Sequence, residues 1–284
     1  RKARSANELA RVLLELGDLV EAPDDEISML ERIQAQPEIE TPSERLAQLL
    51  AKLRADRRAI KVPIPTAETN RQRWIATENL PLYRAAFATR AYLEETDRAL
   101  LQVLSEKRPL TLTQAAEQLS LSRQETQSRL ARLLNGYHVL YLPSKEPLGP
   151  NTRQDVDQLD GSLIDPLSPA QGSYVETASW IPEPFLQQGL SRQKARLELV
   201  HRYLRQHGPV SKYEVMDRYG FAESFVERAL DTLYQDPDGV DVVRGEYLPT
   251  KAVPQWCLKS NLERIHRLTL DRLRQEMEPA TPAQ

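Results

Sequence analysis

The chain has 284 residues, of which 40% are hydrophobic and 28% charged, and these values are ordinary for globular proteins. The length allows two domains of average size or three to four smaller modules. The formal net charge of −3 gives no overall attraction to nucleic acid or anionic membranes, so binding of a polyanion requires a local basic cluster. The single cysteine, Cys257, excludes an internal disulfide and a site of several thiolates, and it favours a reducing compartment, by default the cytoplasm.

The sequence also shows whether to expect a membrane-spanning segment or a signal peptide. No stretch is apolar over 18 consecutive residues, so we expect no membrane-spanning helix and no membrane partner. The chain starts with Arg1 rather than Met, and an amphipathic pattern follows it instead of the apolar segment of a signal peptide. We expect the chain to be a segment of a longer protein.

One order of signals occurs three times: helices with 3.6-residue apolar spacing, a capped polar or basic helix, and a β-branched or aromatic run. This order predicts an α-rich α+β protein with three tandem winged helix-turn-helix modules and a closing C-terminal helix. We place the first module, with its wing and a return helix, at 1–90, the second at 91–145, a linker or β-excursion at 146–190, and the third module with the C-terminal helix at 191–284.

The first module opens with an amphipathic helix and a weaker one over Asp24–Ile33. The signal Thr41-Pro42-Ser43-Glu44, with a capping threonine, an early proline and a glutamate three positions on, predicts the start of the third helix. Two strand-like runs, Ala59–Ile64 and Arg71–Thr77, predict a wing hairpin. The helical pattern returns over Glu78–Phe87.

The second module has the clearest pattern. A tight turn at Ser120-Leu121 precedes the capping pair Ser122 and Glu125 of the third helix. Asn135-Gly136 ends that helix, and Tyr137–Leu142 predicts a wing strand. The stretch that follows, up to Pro184, is rich in Pro, Gly, Ser and Asp and has no helical period, so we predict a long loop or extended β-excursion there.

The third module repeats these signals. Ser211 and Glu214 form a capping pair before a short helix that ends at Gly220. A third helix follows, and the runs Val240–Arg244 and Glu246–Leu248 predict a two-stranded wing. The closing helix is predicted over Asn261–Met277.

No catalytic signature is present. The sequence has no phosphate-binding glycine-rich loop, no His-Glu-x-x-His and no Gly-x-Ser-x-Gly, and its four histidines are scattered. We therefore predict no catalytic, cofactor-binding or metal-binding residue in this segment. Trp74, Trp180 and Trp256 each lie beside apolar residues, which favours packing in a wing or between modules over stacking on an unpaired base.

A winged-helix module can bind nucleic acid, because its third helix can enter a major groove while the wing contacts phosphate. The outward face of that helix decides which module can bind. In the first module this face and the residues near it form a basic patch: Arg45, Gln48, Lys52, Arg57, Arg58 and Arg73. In the second module the helix offers side chains able to reach phosphates and base edges together: Arg123, Gln124, Gln127, Ser128, Arg129 and Arg132.

Two further surfaces differ in charge. Glu223, Glu227 and Asp231 lie on the outward side of the third module's helix, where phosphate would repel them. The closing helix adds Arg264 and Arg267. For each basic face the alternative is an ordinary solvated helix surface. The assignment therefore requires that the basic side chains are gathered together and are not neutralised by carboxylates.

Three segments carry family-like motifs. The first pairs DRRAIKV at 56–62 with RWIATE at 73–78, the second is VHRYLRQHGPV at 200–210, and the third joins QWC at 255–257 to LERIHR at 262–267 and to residues 270–279. In this order they resemble passages of the large helicase-related (Lhr) family of superfamily 2 DNA helicases. The resemblance covers about half of the chain, and the third segment is the most specific.

The resemblance implies the winged-helix region that follows the two ATPase domains of such helicases. It implies a nucleic-acid-binding and positioning role in a cytoplasmic ATP-dependent DNA helicase linked to DNA repair, with ATP and Mg²⁺ bound elsewhere in the longer protein. The expected partners are DNA, single-stranded or as a tailed duplex, and the rest of the helicase chain, and a homo-oligomer is allowed. In the family the spacer between the first two motifs is short, whereas here the second module and its loop lie between them.

Two other functions fit the same pattern. A winged-helix DNA glycosylase would need a carboxylate or glutamine held in a basic cleft, which the sequence alone does not place. An assembly platform would use the acidic third module, and a large apolar patch on its exposed helix would favour this function.

Overall fold

The computed structural model describes residues 5–19, 42–67, 72–89, 92–106, 109–143, 172–186, 189–235, 241–247 and 253–277. In these residues the chain is an α-rich α+β protein, as predicted. Contacts divide it into two compact units, Arg1–Pro65 with Asn70–Ala195 and Thr66–Thr69 with Arg196–Gln284. The first unit contains the first two modules, and the second unit contains the third. The helix predicted over Asp24–Ile33 lies outside the described residues.

The helices and strands follow the predicted order. The first module contains α1 (Ala6–Leu16), β1 (Asp18–Leu19), α2 (Pro42–Ala55), β2 (Ala59–Pro63) and β3 (Gln72–Ala76), then a 3-10 turn (Thr77–Asn79) and α3 (Leu80–Phe87). The second contains α4 (Glu95–Glu106), α5 (Leu112–Leu119), α6 (Arg123–Asn135), β4 (Val139–Pro143), β5 (Gly172–Glu176), α7 (Thr177–Trp180) and a 3-10 turn (Glu183–Phe185). The third contains α8 (Arg192–Gln206), β6 (Val210–Ser211), α9 (Lys212–Tyr219), α10 (Glu223–Gln235), β7 (Val242–Gly245), β8 (Gln255–Leu258) and α11 (Lys259–Met277).

The sheets of the three modules share one topology, with the second wing strand in the middle. β3 pairs antiparallel with β1 on one side and β2 on the other, and β8 lies in the same way between β6 and β7. In the second module β5 pairs with β4 and makes a single bridge to Leu110, which takes the place of a short first strand. This strand order, with the capped third helix before the wing, is that of three winged-helix modules.

The base of every wing is closed by the same backbone hydrogen bond. The residue that follows the second wing strand donates its N–H to the carbonyl of the residue directly before the first wing strand. The three bonds are Thr77 N to Arg58 O (3.1 Å), Thr177 N to His138 O (2.9 Å) and Lys259 N to Asp241 O (2.8 Å). Because this bond is at the same place in each wing, residues of the three modules can be aligned by their distance from it.

An aromatic ring lies at the same position in each middle strand. Trp74, Tyr174 and Trp256 are 4%, 2% and 5% exposed, and each pairs with both neighbouring strands. The cross-strand side chains against these rings are Lys61, Tyr141 and Arg244. The expected wing packing of Trp74 and Trp256 is confirmed, while Trp180 is half-buried at the end of α7.

The module cores come from the predicted helical faces. In the first module α1 and α2 meet through Leu13, Leu50 and Leu53, all at most 1% exposed, beneath Trp74. In the second, leucines of α4, α5 and α6 pack with Val139 and Tyr174. Burying a leucine side chain contributes about 1.5–3 kcal/mol, so these two clusters account for much of the helix packing.

The structure bears on two predicted connections. Within 146–190, predicted as a linker or a β-excursion, residues 172–176 form β5, which pairs with β4 along Val139–Pro143 and belongs to the second module. The third wing is not formed by Val240–Arg244 with Glu246–Leu248. β7 pairs instead with β8, and the Tyr247 N–H donates a hydrogen bond to the Gln255 side chain.

The second unit joins its first and last helices directly. The Asn261 side-chain amide, in the first turn of α11, donates to the carbonyls of Leu204 (3.1 Å), Arg205 (3.0 Å) and His207 (2.8 Å). It satisfies carbonyls that α8 leaves unpaired at its C-terminal end. The start of α11 is thereby fixed, whereas Glu263 to Glu276 are exposed at every position.

The turns before the third helices give a stability test. Ser120 and Gly220 hold equivalent left-handed positions, with φ of 52° and 61°, and this conformation costs a non-glycine residue about 1–3 kcal/mol. Ser120→Gly should therefore raise the free energy of unfolding by about 1 kcal/mol. Gly220→Ala should lower it by more, because the added Cβ would overlap the backbone carbonyl of Thr66. Urea unfolding measures both, and equal stability of the three proteins would contradict the assignment.

Candidate nucleic-acid interface

The first half of α6 presents polar side chains outward. The helix is capped by Ser122, whose hydroxyl accepts the Glu125 N–H at 3.2 Å, and its apolar face is buried in the module core. Arg123, Gln124 and Ser128 are exposed and Gln127 is half-buried. The Ser128 hydroxyl donates to the Gln124 carbonyl within the helix. This part of α6 thus offers a guanidinium and amide groups to solvent.

The second half of α6 is held by carboxylates instead. The Arg129 guanidinium donates to Glu94 (2.9 Å), Asp97 (3.1 Å) and Glu125 (2.9 Å). Arg132 donates to Glu94 (3.1 Å) and Asp97 (2.9 Å). The Asp97 side chain has no exposed surface, and its other oxygen accepts the Glu94 N–H. We call these five side chains the α4–α6 ion cluster.

The ion cluster shifts the pKa of its members in the direction expected of paired charges. Burial raises the pKa of Asp97, but hydrogen bonds from Arg129, the Glu94 backbone and Arg132 outweigh it, so the net pKa is lowered. Hydrogen bonds to Glu125 and Glu94 raise the pKa of Arg129. The charged forms are therefore favoured, and the cluster fixes α6 on α4.

The ion cluster corrects the predicted site. Arg129 and Arg132 were expected beside the outward face, but both are paired with acids of their own module, and we leave them out of the candidate contact surface. Sequence reasoning missed Glu94 and Asp97 because they lie two helices earlier, at the start of α4. The available signal was a pair of acids three residues apart at the start of α4, opposite two arginines three apart on α6.

The predicted face of α2 is at the surface. Arg45, Gln48 and Lys52 are all exposed. Their spacing of three and four residues places them along one side of the helix. Like the first half of α6, this side offers cationic and amide groups to solvent.

The remaining basic residues of the first module have structural contacts. Arg73 is only 2% exposed, and its Nε lies 3.4 Å from Asp18, a carboxylate that also accepts the Tyr83 hydroxyl at 2.8 Å. Its predicted surface position is wrong, because both faces of β3 are covered and every residue from Arg73 to Ala76 is buried. Arg58 donates to the Asn7 side chain at 2.6 Å. Arg57 lies over the Trp180 ring at 4.3 Å.

The third module's helix carries the acidic face that the sequence predicts. Glu223, Glu227 and Asp231 on α10 are exposed, and the Lys212 ammonium bonds to Glu223 and, at 2.7 Å, to Glu227. These two bonds raise the pKa of Lys212. Lys212 offsets only part of the charge of these three acids, so the side of α10 that carries them repels phosphate.

The closing helix is both basic and apolar on its surface. Arg264 and Arg267 are exposed. Four large hydrophobic side chains of the same helix are also 39–59% exposed: Ile265, Leu268, Leu270 and Leu273. Apolar exposure in the third module thus concentrates on α11, and the outward side of α10, which was the predicted place for an assembly patch, is acidic.

Two further classes of site were searched for in the part of the chain that the structure describes. No helix there is long and apolar enough to cross a membrane. The described residues also contain no group of three or more His, Cys, Asp or Glu side chains placed to hold a metal ion. Cys257 is buried, and burial raises the pKa of its thiol.

Comparisons with known proteins bear on the fold. No family model matches the sequence, and no curated protein matches it. Among solved structures, the chain is similar to Streptomyces sahachiroi DNA glycosylase AlkZ, with a TM-score of 0.56 and 13% sequence identity, over 94% of this chain and 67% of that one. At this identity the similarity shows a shared fold.

The ion cluster predicts a large stability effect of Asp97. Asp97→Asn should lower the free energy of unfolding by about 3–5 kcal/mol, because it leaves two guanidinium groups without their buried partner. Urea unfolding followed by circular dichroism measures the loss. The matched control is Glu95→Gln, an exposed acid in the first turn of the same helix, which should cost less than about 1 kcal/mol. Equal losses for the two variants would contradict the role of the cluster.

The lowered pKa of Asp97 predicts a pH dependence. The stabilisation by this carboxylate is complete above its unfolded pKa of about 3.9 and is lost as pH falls through the lower folded pKa. The stability difference between the wild type and Asp97→Asn should therefore shrink as pH falls below about 4. Unfolding titrations of both proteins from neutral to acid pH measure it, and a difference independent of pH would exclude the ion pair as its cause.

Proposed function

We propose that this chain is the nucleic-acid-binding and positioning region of an Lhr-type ATP-dependent DNA helicase acting in DNA repair. The observation that carries the DNA-binding part is the first half of α6, where Arg123 and Gln124 are exposed at the N-terminal end of the third helix of a winged-helix module. In helix-turn-helix proteins these first residues of the helix contact base edges. The exposed side of α2 supplies a second polar and basic surface.

The assignment to an Lhr-type helicase is supported by the positions in the fold of the three segments that resemble that family. RWIATE at 73–78 forms β3 and the residues that close the wing base. VHRYLRQHGPV at 200–210 ends α8, and LERIHR at 262–267 lies in α11. The Asn261 amide joins the last two segments by its bonds to the end of α8. The motifs therefore coincide with junctions between elements.

In this proposal the chemistry of ATP belongs to other parts of the longer protein. Electrostatic contact with phosphates by α2, α6 and the exposed arginines of α11, Arg264 and Arg267, holds the DNA. Such contacts act without sequence preference and weaken as salt rises. The acidic side of α10 repels phosphate and takes no part in holding the DNA.

A DNA glycosylase is the second candidate, and the fold shared with AlkZ favours it. Its base-directed chemistry would need an acid or amide free to act in a cleft. The buried carboxylates among the described residues are Asp18 and Asp97, and both are held in ion pairs. Release of a damaged base from duplex DNA by the purified chain would establish this function in place of simple binding.

Arg123→Glu tests the DNA-binding part. It should weaken binding to DNA several-fold and lower the slope of log Kd against log salt by about 1, because one phosphate contact is lost. Fluorescence anisotropy with single-stranded, duplex and tailed DNA over a salt series measures both quantities. The unfolding temperature should not change, since Arg123 is exposed at the start of its helix.

Arg228→Glu is the matched control, because it makes the same charge change on the exposed side of α10. It should bind DNA like the wild type. Equal weakening by the two variants would show that total charge, and not the α6 surface, determines the affinity.

A further inference from the structure

The first wing strands of the three modules carry different side chains at one equivalent position. This position is the third residue after the carbonyl that closes the wing base, and it pairs with the aromatic residue of the middle strand. It is occupied by Lys61 opposite Trp74, Tyr141 opposite Tyr174 and Arg244 opposite Trp256. The exposure of these three side chains shows what each wing can contact.

In the first unit the two wing strands that carry this position are largely covered. Lys61 and Tyr141 are half-buried, and the other four residues of β2 are buried. β2 lies against β4 of the second module, where the buried Tyr137 hydroxyl donates to the Pro63 carbonyl. These two strands therefore serve the packing of the first module on the second, and they offer little surface to DNA.

The third wing differs, because its side chain at this position is exposed. The guanidinium carbon of Arg244 lies 5.1 Å from the centre of the Trp256 ring, and Trp256 itself is only 5% exposed. Among the residues that the structure describes, Arg244 forms no ion pair, although Asp241 and Glu246 are near it in sequence. Asp241 lies instead 3.6 Å from the Lys259 ammonium. A buried ring, and not a carboxylate, therefore holds this guanidinium at the surface.

An arginine held over a ring is suited to phosphate. The ring lies against the guanidinium by a cation–π contact, so the N–H groups along the edge of the guanidinium stay available to donate. Two of these N–H groups can bind the oxygens of one phosphate at the same time. Less side-chain entropy is lost on binding when the planar group is already held in place.

The distribution of charge in the third module fits a phosphate contact at the wing. Its third helix, α10, turns three acids to solvent, and these repel phosphate: Glu223, Glu227 and Asp231. The wing of the same module presents an exposed cation without a bonded acid. Of the two elements by which a winged helix contacts DNA, the wing is therefore the one that attracts phosphate here.

We propose that the wing of the third module binds a backbone phosphate of DNA through Arg244, so that this module contacts DNA by its wing and not by its third helix. This contact rests on the proposed function, and it adds a phosphate-binding residue to the surfaces on α2, α6 and α11. Trp256 then has a second role besides packing, because its ring holds the guanidinium that binds phosphate. A phosphate contact carries no sequence information, so this one acts equally on every DNA sequence.

Arg244→Met in the full chain tests the proposal, because it removes the charge and keeps a long side chain over the Trp256 ring. It should weaken DNA binding by about two- to fivefold and lower the slope of log Kd against log salt by about 1, equally on DNAs of unrelated sequence. Arg244→Lys should keep the wild-type slope, because it keeps the charge and a lysine holds the equivalent position in the first module.

Fluorescence anisotropy over a salt series measures the slopes, and the unfolding temperature shows whether each variant is folded. The matched control is Arg228→Met, which removes one charge from an exposed position of α10 in the same unit and should bind DNA like the wild type. If Arg244→Met does not reach the unfolding temperature of the wild type, Arg244→Gln replaces it with the same expected slope.

The outcomes separate the wing contact from the proposed function. A lower slope in Arg244→Met that is absent from Arg244→Lys and Arg228→Met supports the wing contact. An unchanged slope in Arg244→Met, or equal losses for Arg244→Met and Arg228→Met, would overturn it while salt-dependent binding by the wild type persists. Absence of salt-dependent binding by the wild type to any DNA would overturn the proposed function and the wing contact with it.

Discussion

The candidate interface depends on one buried carboxylate. Asp97 receives hydrogen bonds from two arginines of α6 and from the backbone at the start of its own helix. A buried charge is tolerated only when paired, so Asp97 fixes both the position and the rotation of α6. Because Arg129 and Arg132 are used in this way, the surface left for a ligand is the first half of the helix. In helix-turn-helix proteins that half is the part that enters the groove.

The division of charge follows the same logic. The net charge of the chain is −3, but the third helices of the modules differ in the charge of their exposed sides. Lys212, at the start of α9, bridges two glutamates of α10, and the side of α10 that carries Glu223, Glu227 and Asp231 stays acidic, whereas α2 and the start of α6 have exposed cations. Under the proposed function a polyanion is attracted to α2 and the start of α6 and is repelled by the acidic side of α10.

The sequence predicted best those features of the structure that depend on contacts between residues a few positions apart. The capping residues Ser122 and Ser211 bind the backbone three positions on, and both were identified from spacing alone. The burial of Arg73 could not be predicted in this way, because its partner Asp18 lies far away in sequence and becomes its neighbour only when β1 and β3 pair. The partner of β7 was misplaced for a related reason, since strand character near Tyr247 is a local property and pairing with β8 is not. Local patterns also could not predict that Arg129 and Arg132 pair with carboxylates, because Glu94 and Asp97 lie more than 30 residues away in the sequence.

The hairpin of the second module has a consequence for how this protein tolerates change in length. Pro143 and Gly172 face each other at the open end of the β4–β5 ladder, although 28 residues, 144–171, connect them. The entropy of closing such a connection grows only with the logarithm of its length, by about 0.6 kcal/mol for each doubling. The β4–β5 ladder and the Thr177 N to His138 O bond hold the two strands together whatever that length is. Insertions or deletions between Pro143 and Gly172 should therefore leave the second module intact.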